Sequence, residues 1–221
     1  MFQYILLDFD GTICDSAEGI VKCVQYALRD QGIEEPLENL YCFCGPPLSD
    51  MFQAGYGMTP EQALHAVDKY RERYNRTGVW ESRLYDGMDT LIRDLRAAGR
   101  KLAVASSKPV TFIRQLLDRF GILNEFDAIV GAELDGSFGH KAEVVERALA
   151  LLGVTEQTRS QAVLVGDRHY DVDGAHAQHI ACIGAGYGYA EPEELVRAGA
   201  DLVVPSVAAL RSLLLAQEAT V

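Results

Sequence analysis

Cysteine is scarce in this sequence of 221 residues, and its five cysteines follow no regular spacing. Their number is odd, and the one C-x-C motif lacks the second closely spaced pair that a structural zinc site would need. We therefore predict reduced thiols, which are typical of a cytoplasmic protein. The cysteines are Cys14, Cys23, Cys42, Cys44 and Cys182.

Positive charge is also in short supply. Lysine and arginine total 20, against 32 aspartates and glutamates, which gives a formal net charge of −12. Because an acidic surface repels phosphate polymers and anionic membranes, we expect no nucleic-acid partner and no membrane partner. A small phosphorylated metabolite is compatible with this charge, since a site can be locally positive within an acidic protein.

Long apolar runs are absent as well. No stretch approaches the roughly 20 apolar residues that a transmembrane helix needs. The N-terminal segment, Met1–Asp8, has no basic start, and its apolar run ends at an acid, so we do not expect a signal peptide. With 48% hydrophobic, 24% charged and 9% aromatic residues, the composition is that of an ordinary globular protein.

Short apolar runs alternate with helical patterns along most of the chain. Each run is rich in leucine or β-branched residues and ends at glycine, aspartate or serine, as buried parallel strands do. The predicted strands are Tyr4–Leu7, Leu102–Ala105, Ala128–Val130, Ala162–Val165, Ala181–Ile183 and Leu202–Val204. The clearest predicted helices are Met88–Ala98, Val110–Phe120, Lys141–Leu152 and Glu191–Ala198, each followed by a glycine. This alternation predicts a doubly wound α/β domain.

One long segment, residues 15–83, interrupts this alternation. It shows helical periodicity and no convincing strand. We therefore interpret it as a helical insertion into an α/β core that consists of residues 1–14 and 84–221.

Two helices are predicted within the insertion. The first covers Ser16–Gln31, and Asp15 and Glu18 are spaced as a capping box at its start. The second begins at Thr59 and runs to about Tyr74.

Polar side chains follow several of the predicted core strands. In an open α/β sheet, ligands bind at the carboxyl ends of the strands. Any one of these side chains alone is more often a cap, a turn residue or a solvated charge than part of a site. The apolar strand before each group, in a regular order, is what favours a functional role. The candidate residues are Asp8, Asp10, Ser106, Lys141, Asp167 and Asp171.

Together these residues have the chemistry of phosphoryl transfer. Asp8 can act as a nucleophile, and Asp10, two residues further on, can protonate the leaving oxygen and later activate water. Lys141 supplies positive charge, and Ser106 can donate a hydrogen bond to a phosphoryl oxygen. Mg²⁺ prefers hard oxygen ligands. The expected metal ligands are Asp8, Asp167 and Asp171.

The same groups resemble the four sequence motifs of haloacid dehalogenase-like hydrolases. Asp8-Phe9-Asp10-Gly11-Thr12-Ile13 looks like the first motif, Ser106 the second, Lys141 the third and Gly166-Asp167-x-x-x-Asp171 the fourth. The resemblance covers nearly the whole chain. It implies a Rossmann-like parallel-sheet core, an all-helical cap domain inserted after the first strand, and Mg²⁺ as the cofactor.

Within that family the chain is similar to the phosphoglycolate-phosphatase-like branch, which includes proteins labelled 5′-nucleotidases. Ser106-Ser107-Lys108-Pro109 is similar to the usual Thr-Asn-Lys-Pro of the branch. Gly45-Pro46-Pro47-Leu48 resembles a cap loop that approaches the site. The segment Gly136–Lys141 departs from the branch, which often has prolines before the lysine.

With the resemblance included, the expected site has several parts. The catalytic residues are Asp8 and Asp10. The phosphate-binding residues are Phe9, Asp10, Ser106, Ser107 and Lys141. The metal ligands are Asp8, Asp10, Asp167 and Asp171. The substrate-specificity residues of the cap are Gly45, Pro46 and Pro47.

Two further features, a glycine-rich segment and the residues that follow Asp167, are given no predicted role in the site. Gly184-x-Gly186-x-Gly188 lacks the spacing of a dinucleotide-binding loop, so we interpret it as a glycine-rich surface loop. Arg168 and His169 follow Asp167 directly, and the sequence leaves open whether they contact substrate or solvent.

These observations predict an Mg²⁺-dependent phosphatase that hydrolyses phosphoglycolate or a nucleoside monophosphate through an aspartyl-phosphate intermediate. A phosphomutase of the same superfamily would use the same aspartates. A non-catalytic regulatory or binding protein on this fold is the alternative from another class, and loss of Asp8, Asp10 or Lys141 would have indicated it. We expect a monomer or a homodimer.

Overall fold

The structure is a computed structural model that describes residues 2–134 and 138–216. Its Cα positions group into two compact units. The first takes in the chain up to Cys14 and from Leu84 onward, and the second is Asp15–Arg83. Gly136 and Ser137, in the segment that leads to Lys141, lie outside the described residues.

The described strands form one large parallel sheet and one small sheet. In chain order they are β1 (Tyr4–Leu7), β2 (Cys14–Asp15), β3 (Arg83–Leu84), β4 (Lys101–Pro109), β5 (Ala128–Ala132), β6 (Ala162–Gly166), β7 (Ala181–Ala185) and β8 (Leu202–Val204). The large sheet belongs to the first unit and has the order β5-β4-β1-β6-β7-β8, with every pair parallel. The pair β2 and β3 stands where the chain passes from one unit to the other. The predicted α/β class with a parallel-sheet core is confirmed.

β1 lies in the middle of the large sheet, between β4 and β6. The Ile5, Leu6 and Leu7 side chains are fully buried, as expected for a central strand whose two faces are both covered. Leu7 pairs with Val104 on one side and with Val165 on the other. The three strands therefore bring their carboxyl ends to one common edge.

Three helices of the first unit begin at the residues that the sequence predicts, which are Met88, Val110 and Lys141. In chain order, the helices of both units are α1 (Ala17–Asp30), α2 (Leu48–Tyr56), α3 (Pro60–Arg76), α4 (Met88–Ala97), α5 (Val110–Arg119), α6 (Lys141–Leu151), α7 (His169–Ala177), α8 (Glu194–Arg197) and α9 (Val207–Leu215). The glycines that follow α4, α5, α6 and α8 have φ angles between +69° and +86°, the left-handed conformation that ends a helix. These glycines are Gly99, Gly121, Gly153 and Gly199.

Among the differences from the sequence-based prediction, those in α7 and α8 have identifiable reasons. α8 is shorter than the predicted Glu191–Ala198, because Glu193 has a φ of +65°, which an α-helix cannot contain. α7 has no pronounced apolar face, since Val172, Gly174 and Ala175 are buried beside the buried carboxylate of Asp171. Helical periodicity therefore cannot reveal it.

The second unit is built from α1, α2 and α3. α3 begins with a complete capping box, in which Thr59 and Gln62 exchange hydrogen bonds, and Pro60 occupies its first position. α2 was not predicted, because it is short and directly follows two prolines.

The capping box predicted for α1 is wrong. Ser16 is the N-cap residue, and its side chain forms no capping hydrogen bond. Asp15 instead accepts a hydrogen bond from Arg83 at 2.8 Å, and Glu18 forms an ion pair with Lys22 one turn further on. The two carboxylates have the spacing of a capping box, but Arg83 binds Asp15 and Lys22 binds Glu18.

A close backbone approach joins α1 to the chain that follows α3. A Cβ atom built on Gly19 would collide with the carbonyl oxygen of Gly78. The same part of the unit holds a two-pronged ion pair between Arg73 and Glu81, with N–O distances of 2.8 and 3.1 Å. Lys22 of α1 also binds Glu81, at 3.2 Å. The absence of a side chain at Gly19 is therefore a packing requirement.

Among the described residues, no helix combines the length and the apolar character that crossing a membrane requires.

We predict that Gly19→Ala lowers the free energy of unfolding by about 1–3 kcal/mol, because the added methyl group meets backbone that cannot turn away. Gly55→Ala is the matched control. Gly55 also lies within a helix of the second unit, and nothing stands within 4 Å of its added Cβ. That change should raise the free energy of unfolding by up to about 1 kcal/mol. Urea denaturation followed by circular dichroism measures both, and equal effects would contradict the packing argument.

Candidate active site

The carboxyl ends of β1, β4 and β6 gather the predicted polar residues at one edge of the sheet. Asp8 directly follows β1, Ser106 lies in β4, and Asp167 directly follows β6. The Asp8 N–H continues the ladder by donating to the Val165 carbonyl oxygen at 2.9 Å. Lys141 reaches the same edge as the first residue of α6. Strand pairing therefore brings together residues that are far apart in the sequence.

Lys141 lies between two of the predicted aspartates. Its Nζ atom is 2.6 Å from Asp8 Oδ1 and 2.7 Å from Asp171 Oδ1. It also donates a hydrogen bond to the Ala105 carbonyl oxygen at 3.1 Å. All three ionised side chains are at most 10% exposed. Such a buried charge is stable only with close partners of opposite charge.

Asp167 completes a compact group of three buried carboxylates. One oxygen from each of Asp8, Asp167 and Asp171 lies within 4.8 Å of the other two. Asp167 accepts a hydrogen bond from the Tyr189 N–H at 2.7 Å and one from the Thr12 hydroxyl at 3.3 Å. These bonds orient its carboxylate but do not neutralise the charge of the group.

The pKa values in this group reflect its crowding. Burial, followed by repulsion from Asp171, raises the pKa of Asp8 to about 6, although Lys141 opposes the shift. Burial and the charges of Asp171 and Asp8 raise the pKa of Asp167 well above its usual value. Burial lowers the pKa of Lys141, but the charges of Asp171 and Asp8 outweigh it and raise that pKa overall. The group therefore has more negative charge than its one lysine balances.

A divalent cation fits this arrangement. Three carboxylates offer the hard oxygen ligands that Mg²⁺ prefers, and their oxygens converge on one small region. A bound cation would also remove the repulsion that raises the pKa values of Asp8 and Asp167. Asp8, Asp167 and Asp171 are therefore the residues that suit a metal ion.

Asp10 is held by a different lysine. Both of its carboxylate oxygens are 3.0 Å from Lys108 Nζ, and the Lys108 side chain is only 5% exposed. The Nζ atom also lies 5.8 Å from the centre of the Phe9 ring, within the range of a cation–π contact. In the sequence, Lys108 stands out only as part of the Ser106–Pro109 segment, and no role is predicted for it. The signal available was a lysine two residues after Ser106.

The other predicted phosphate-binding residues differ in what their side chains contact. The buried Ser106 side chain forms a hydrogen bond with Asp8 that lowers the pKa of Asp8, and its oxygen accepts a bond from the Lys108 N–H at 3.3 Å. The Ser107 hydroxyl donates to the Gly139 carbonyl oxygen at 2.8 Å. The Phe9 ring is fully buried, so only its main chain can face a ligand.

Four glycines make room for the charged side chains. A Cβ atom on Gly11 or Gly188 would collide with Asp167, and one on Gly166 would collide with Asp171. A Cβ on Gly174 would stand 2.5 Å from Lys141 Cγ. The backbone therefore approaches the charged groups more closely than any other residue type allows.

The interpretation of Gly184-x-Gly186-x-Gly188 as a plain surface loop needs correction. Gly184 is buried at the end of β7, and Gly188 is in close contact with Asp167. Between them, the Tyr187 hydroxyl donates to the Thr12 carbonyl oxygen at 3.1 Å. Periodicity cannot show this, because the contacts join the loop to the first motif through the folded core.

Arg168 and His169 turn toward a partner that the sequence does not indicate. Both form hydrogen bonds with Glu194, at 2.9 Å from Arg168 Nε and 3.0 Å from His169 Nδ1. Asp173 is exposed and lies outside the carboxylate group.

The predicted specificity residues belong to the second unit. Gly45 has a φ of +116°, which favours glycine, and Pro47 directly precedes α2 as its N-cap residue. Leu48, grouped with this loop in the sequence, is the first residue of that helix.

Comparisons with known proteins agree with this architecture. A model of the haloacid dehalogenase-like hydrolase family matches residues 5–185. A protein named 5′-nucleotidase from Pseudomonas aeruginosa is 41% identical over 214 residues, which is 96% of each chain. The crystal structure of a predicted phosphatase from Clostridium acetobutylicum has a TM-score of 0.92 at 41% identity, over 97% of this chain and 99% of that one.

Some relatives carry the name of a different enzyme class. A protein named tyrosine-protein kinase PtkA from Mycobacterium tuberculosis is 39% identical over 203 residues, which cover 91% of this chain and 68% of the relative. Proteins named phosphoglycolate phosphatase follow at 30% identity and below.

The family model covers most of the chain and includes all four motifs, since it ends at the last residue of β7. The relatives and the solved structure extend the match to nearly the whole chain. This chain therefore belongs to the haloacid dehalogenase-like hydrolase family, as an enzyme of its phosphatase class.

Proposed function

We propose that this protein is an Mg²⁺-dependent phosphatase that hydrolyses small phosphomonoesters through an aspartyl-phosphate intermediate on Asp8. The observation that carries the proposal is the position of Asp8. It follows the central strand, contacts Lys141 at 2.6 Å and lies within 4.8 Å of two more buried carboxylates. A nucleophile beside a fixed cation is what phosphoryl transfer requires.

The reaction has two steps in this proposal. An Asp8 oxygen attacks phosphorus as the bond to the leaving oxygen breaks, and protonated Asp10 gives its proton to that oxygen. Asp10 then accepts a proton from water, whose oxygen attacks phosphorus and displaces Asp8. The products are an alcohol and inorganic phosphate, and both aspartates return to their starting states.

The chain's own cations have separate tasks. Lys141, held by Asp8 and Asp171, would stabilise charge on the phosphoryl oxygens. Lys108 holds the Asp10 carboxyl group by both oxygens and so limits its rotation. Ser106 would donate to a phosphoryl oxygen, and Ser107 would do so through its main chain, since its hydroxyl binds Gly139.

Asp8, Asp167 and Asp171 would hold Mg²⁺. When bound, the ion supplies positive charge that offsets both the carboxylates and the phosphoryl group. Asp10 is also expected to contribute a ligand. Because Lys108 binds both of its carboxylate oxygens, that contribution would come from its main-chain carbonyl group.

We propose a nucleoside monophosphate or phosphoglycolate as the substrate. The support is the names of the relatives, 5′-nucleotidase at 41% identity and phosphoglycolate phosphatase at 30%. We further propose that the second unit, Asp15–Arg83, is the cap and that Gly45, Pro46 and Pro47 select the leaving group. A cytoplasmic location and a monomeric or homodimeric state stay predictions.

The relative named as a tyrosine kinase favours a second candidate, transfer of the phosphoryl group to a protein hydroxyl. An aspartyl-phosphate can pass its phosphoryl group to water, to a tyrosine or, in a mutase, to a second hydroxyl of a sugar phosphate. Release of inorganic phosphate across a panel of nucleoside monophosphates, phosphoglycolate and sugar phosphates tests the main proposal. Transfer to tyrosine, or isomerisation without release of phosphate, would contradict it.

We predict that Asp8→Asn lowers turnover of p-nitrophenyl phosphate by about a thousandfold or more, because the nucleophile is lost. Asp173→Asn is the control, since Asp173 is an exposed aspartate outside the carboxylate group. It should keep near-normal turnover. Thermal unfolding shows whether both variants are folded. Activity of the Asp8 variant within tenfold of the unmodified enzyme would exclude Asp8 as the nucleophile.

We predict that Asp10→Asn slows the first step, release of the leaving group, by about 10²–10⁴-fold for an alkyl phosphate and by much less for p-nitrophenyl phosphate. The alkyl leaving group needs a proton, whereas p-nitrophenolate leaves readily without one. First-turnover rates of leaving-group release from glycerol 2-phosphate and from p-nitrophenyl phosphate provide the comparison, because the later attack of water also uses Asp10 and is common to both substrates. An equal loss on both substrates would rule out the general-acid role.

We predict that Asp167→Ala raises the Mg²⁺ concentration needed for half-maximal turnover by at least about tenfold, because one of three carboxylate ligands is removed. Excess Mg²⁺ should restore only part of the rate. Mg²⁺ titrations of turnover at fixed substrate measure the shift. An unchanged Mg²⁺ dependence would place the metal elsewhere.

A further inference from the structure

Glu194 lies outside the four motifs yet binds the turn that carries two of the proposed metal ligands. Its side chain is 13% exposed and belongs to α8. One oxygen, Oε1, accepts hydrogen bonds from Arg168 Nε at 2.9 Å, from the His169 N–H at 2.9 Å and from His169 Nδ1 at 3.0 Å. The other oxygen accepts the Glu191 N–H at 3.0 Å.

The bonds of Glu194 fall on the residues between Asp167 and Asp171. The Arg168 N–H donates to Asp171 Oδ2 at 3.0 Å, and the Asp171 N–H donates to the Arg168 carbonyl oxygen at 3.0 Å. Glu194 holds the Arg168 side chain and the next main-chain N–H. The turn is thus fixed from two directions, by Asp171 from within and by Glu194 from another helix.

We propose that Glu194 is a positioning residue that sets this turn so that Asp167 and Asp171 present their carboxylates together with Asp8 to Mg²⁺. The inference rests on the proposed function. Glu194 does not itself belong to the group of converging carboxylates. It acts through Arg168 and His169, and its loss should therefore weaken metal binding without removing a ligand.

The charge of Glu194 strengthens this role. Burial alone would raise its pKa, but hydrogen bonds from the His169 main chain and from the Arg168 and His169 side chains lower the pKa to about 2. Glu194 is therefore ionised at neutral pH, and its hydrogen bonds are of the stronger, charge-assisted kind.

Glu194 also binds the guanidinium group of Arg168. Arg168 adjoins Asp167 in the sequence, and the charges of Glu194 and Asp167 both raise its pKa, although burial lowers it. Without Glu194, the positive charge of Arg168 beside Asp167 would be less balanced. That charge would oppose binding of a cation, so both consequences of losing Glu194 weaken Mg²⁺ binding.

A second acidic residue of the first unit provides a matched control. Asp201 accepts a hydrogen bond from the Cys182 N–H at 2.8 Å and interacts with the His176 ring at 3.2 Å. Like Glu194, it thus holds a main-chain N–H and a histidine. Cys182 is near the beginning of β7, at the edge of the sheet opposite the site. Asp201→Asn should lower stability without changing Mg²⁺ affinity.

The experiment is calorimetric titration of Mg²⁺ alone into the full-length protein without substrate, for Glu194→Ala, Glu194→Gln and Asp201→Asn. We expect the Mg²⁺ dissociation constant to rise about 10–100-fold for Glu194→Ala, the range found when residues behind metal ligands are removed. The dissociation constant should rise less for Glu194→Gln. The amide oxygen of glutamine can still accept a hydrogen bond from the His169 N–H, but the neutral amide cannot balance the charge of Arg168. At saturating Mg²⁺, KM for p-nitrophenyl phosphate should change less than twofold.

Asp167→Ala is included so that a failure of the role proposed for Glu194 can be distinguished from a failure of the proposed metal site. Weaker Mg²⁺ binding in Asp167→Ala with unchanged binding in both Glu194 variants overturns the role of Glu194 and leaves the metal site standing. Unchanged binding in Asp167→Ala overturns both. An equal loss of affinity in Asp201→Asn means that Glu194 only stabilises the fold. If Glu194→Ala does not fold, the near-isosteric Glu194→Gln decides the question by the same measurement.

Discussion

The active site depends on the balance between three buried carboxylates and the single lysine that contacts two of them. Asp8, Asp167 and Asp171 place oxygens within 4.8 Å of one another. Two like charges at that distance repel by roughly 3–4 kcal/mol at an effective dielectric constant of 20. Lys141 offsets part of this repulsion from 2.6 and 2.7 Å. The arrangement is unfavourable for an isolated protein and suits a cation, as expected where function is placed ahead of stability.

The rest of the first unit serves to hold these groups in place. β1 fixes Asp8 because the strand is central and its last three side chains are fully buried. Glycines at 11, 166, 174 and 188 let backbone and charged side chains approach where any Cβ would collide. The fourth motif is oriented by a hydrogen bond that the turn after β7 donates to Asp167 and by the hydrogen bonds that Glu194 accepts from Arg168 and His169. A site with this much internal repulsion needs rigid surroundings, since its own groups would otherwise move apart.

Two lysines of the site each contact a different one of the two aspartates of the first motif. Lys141 binds Asp8, whose pKa burial raises to about 6, and Lys108 holds both carboxylate oxygens of Asp10. The proposed nucleophile and the proposed acid therefore have separate cationic partners. In the proposed mechanism, this separation would let Asp8 bind phosphorus while Asp10 moves a proton.

The sequence by itself determined the parallel sheet, the places of the helices with glycine ends, and the aspartates and lysine of the four motifs. These features are local: apolar runs of strand length, glycines after helical patterns, and polar residues directly after strands. Only the tertiary structure decided the partners. Lys108 on Asp10, Gly188 against Asp167 and Glu194 on the fourth motif are contacts between distant segments, and no local pattern records them. For the same reason the sequence assigned Asp15 to a helix cap, whereas Arg83, 68 residues further along the chain, binds it.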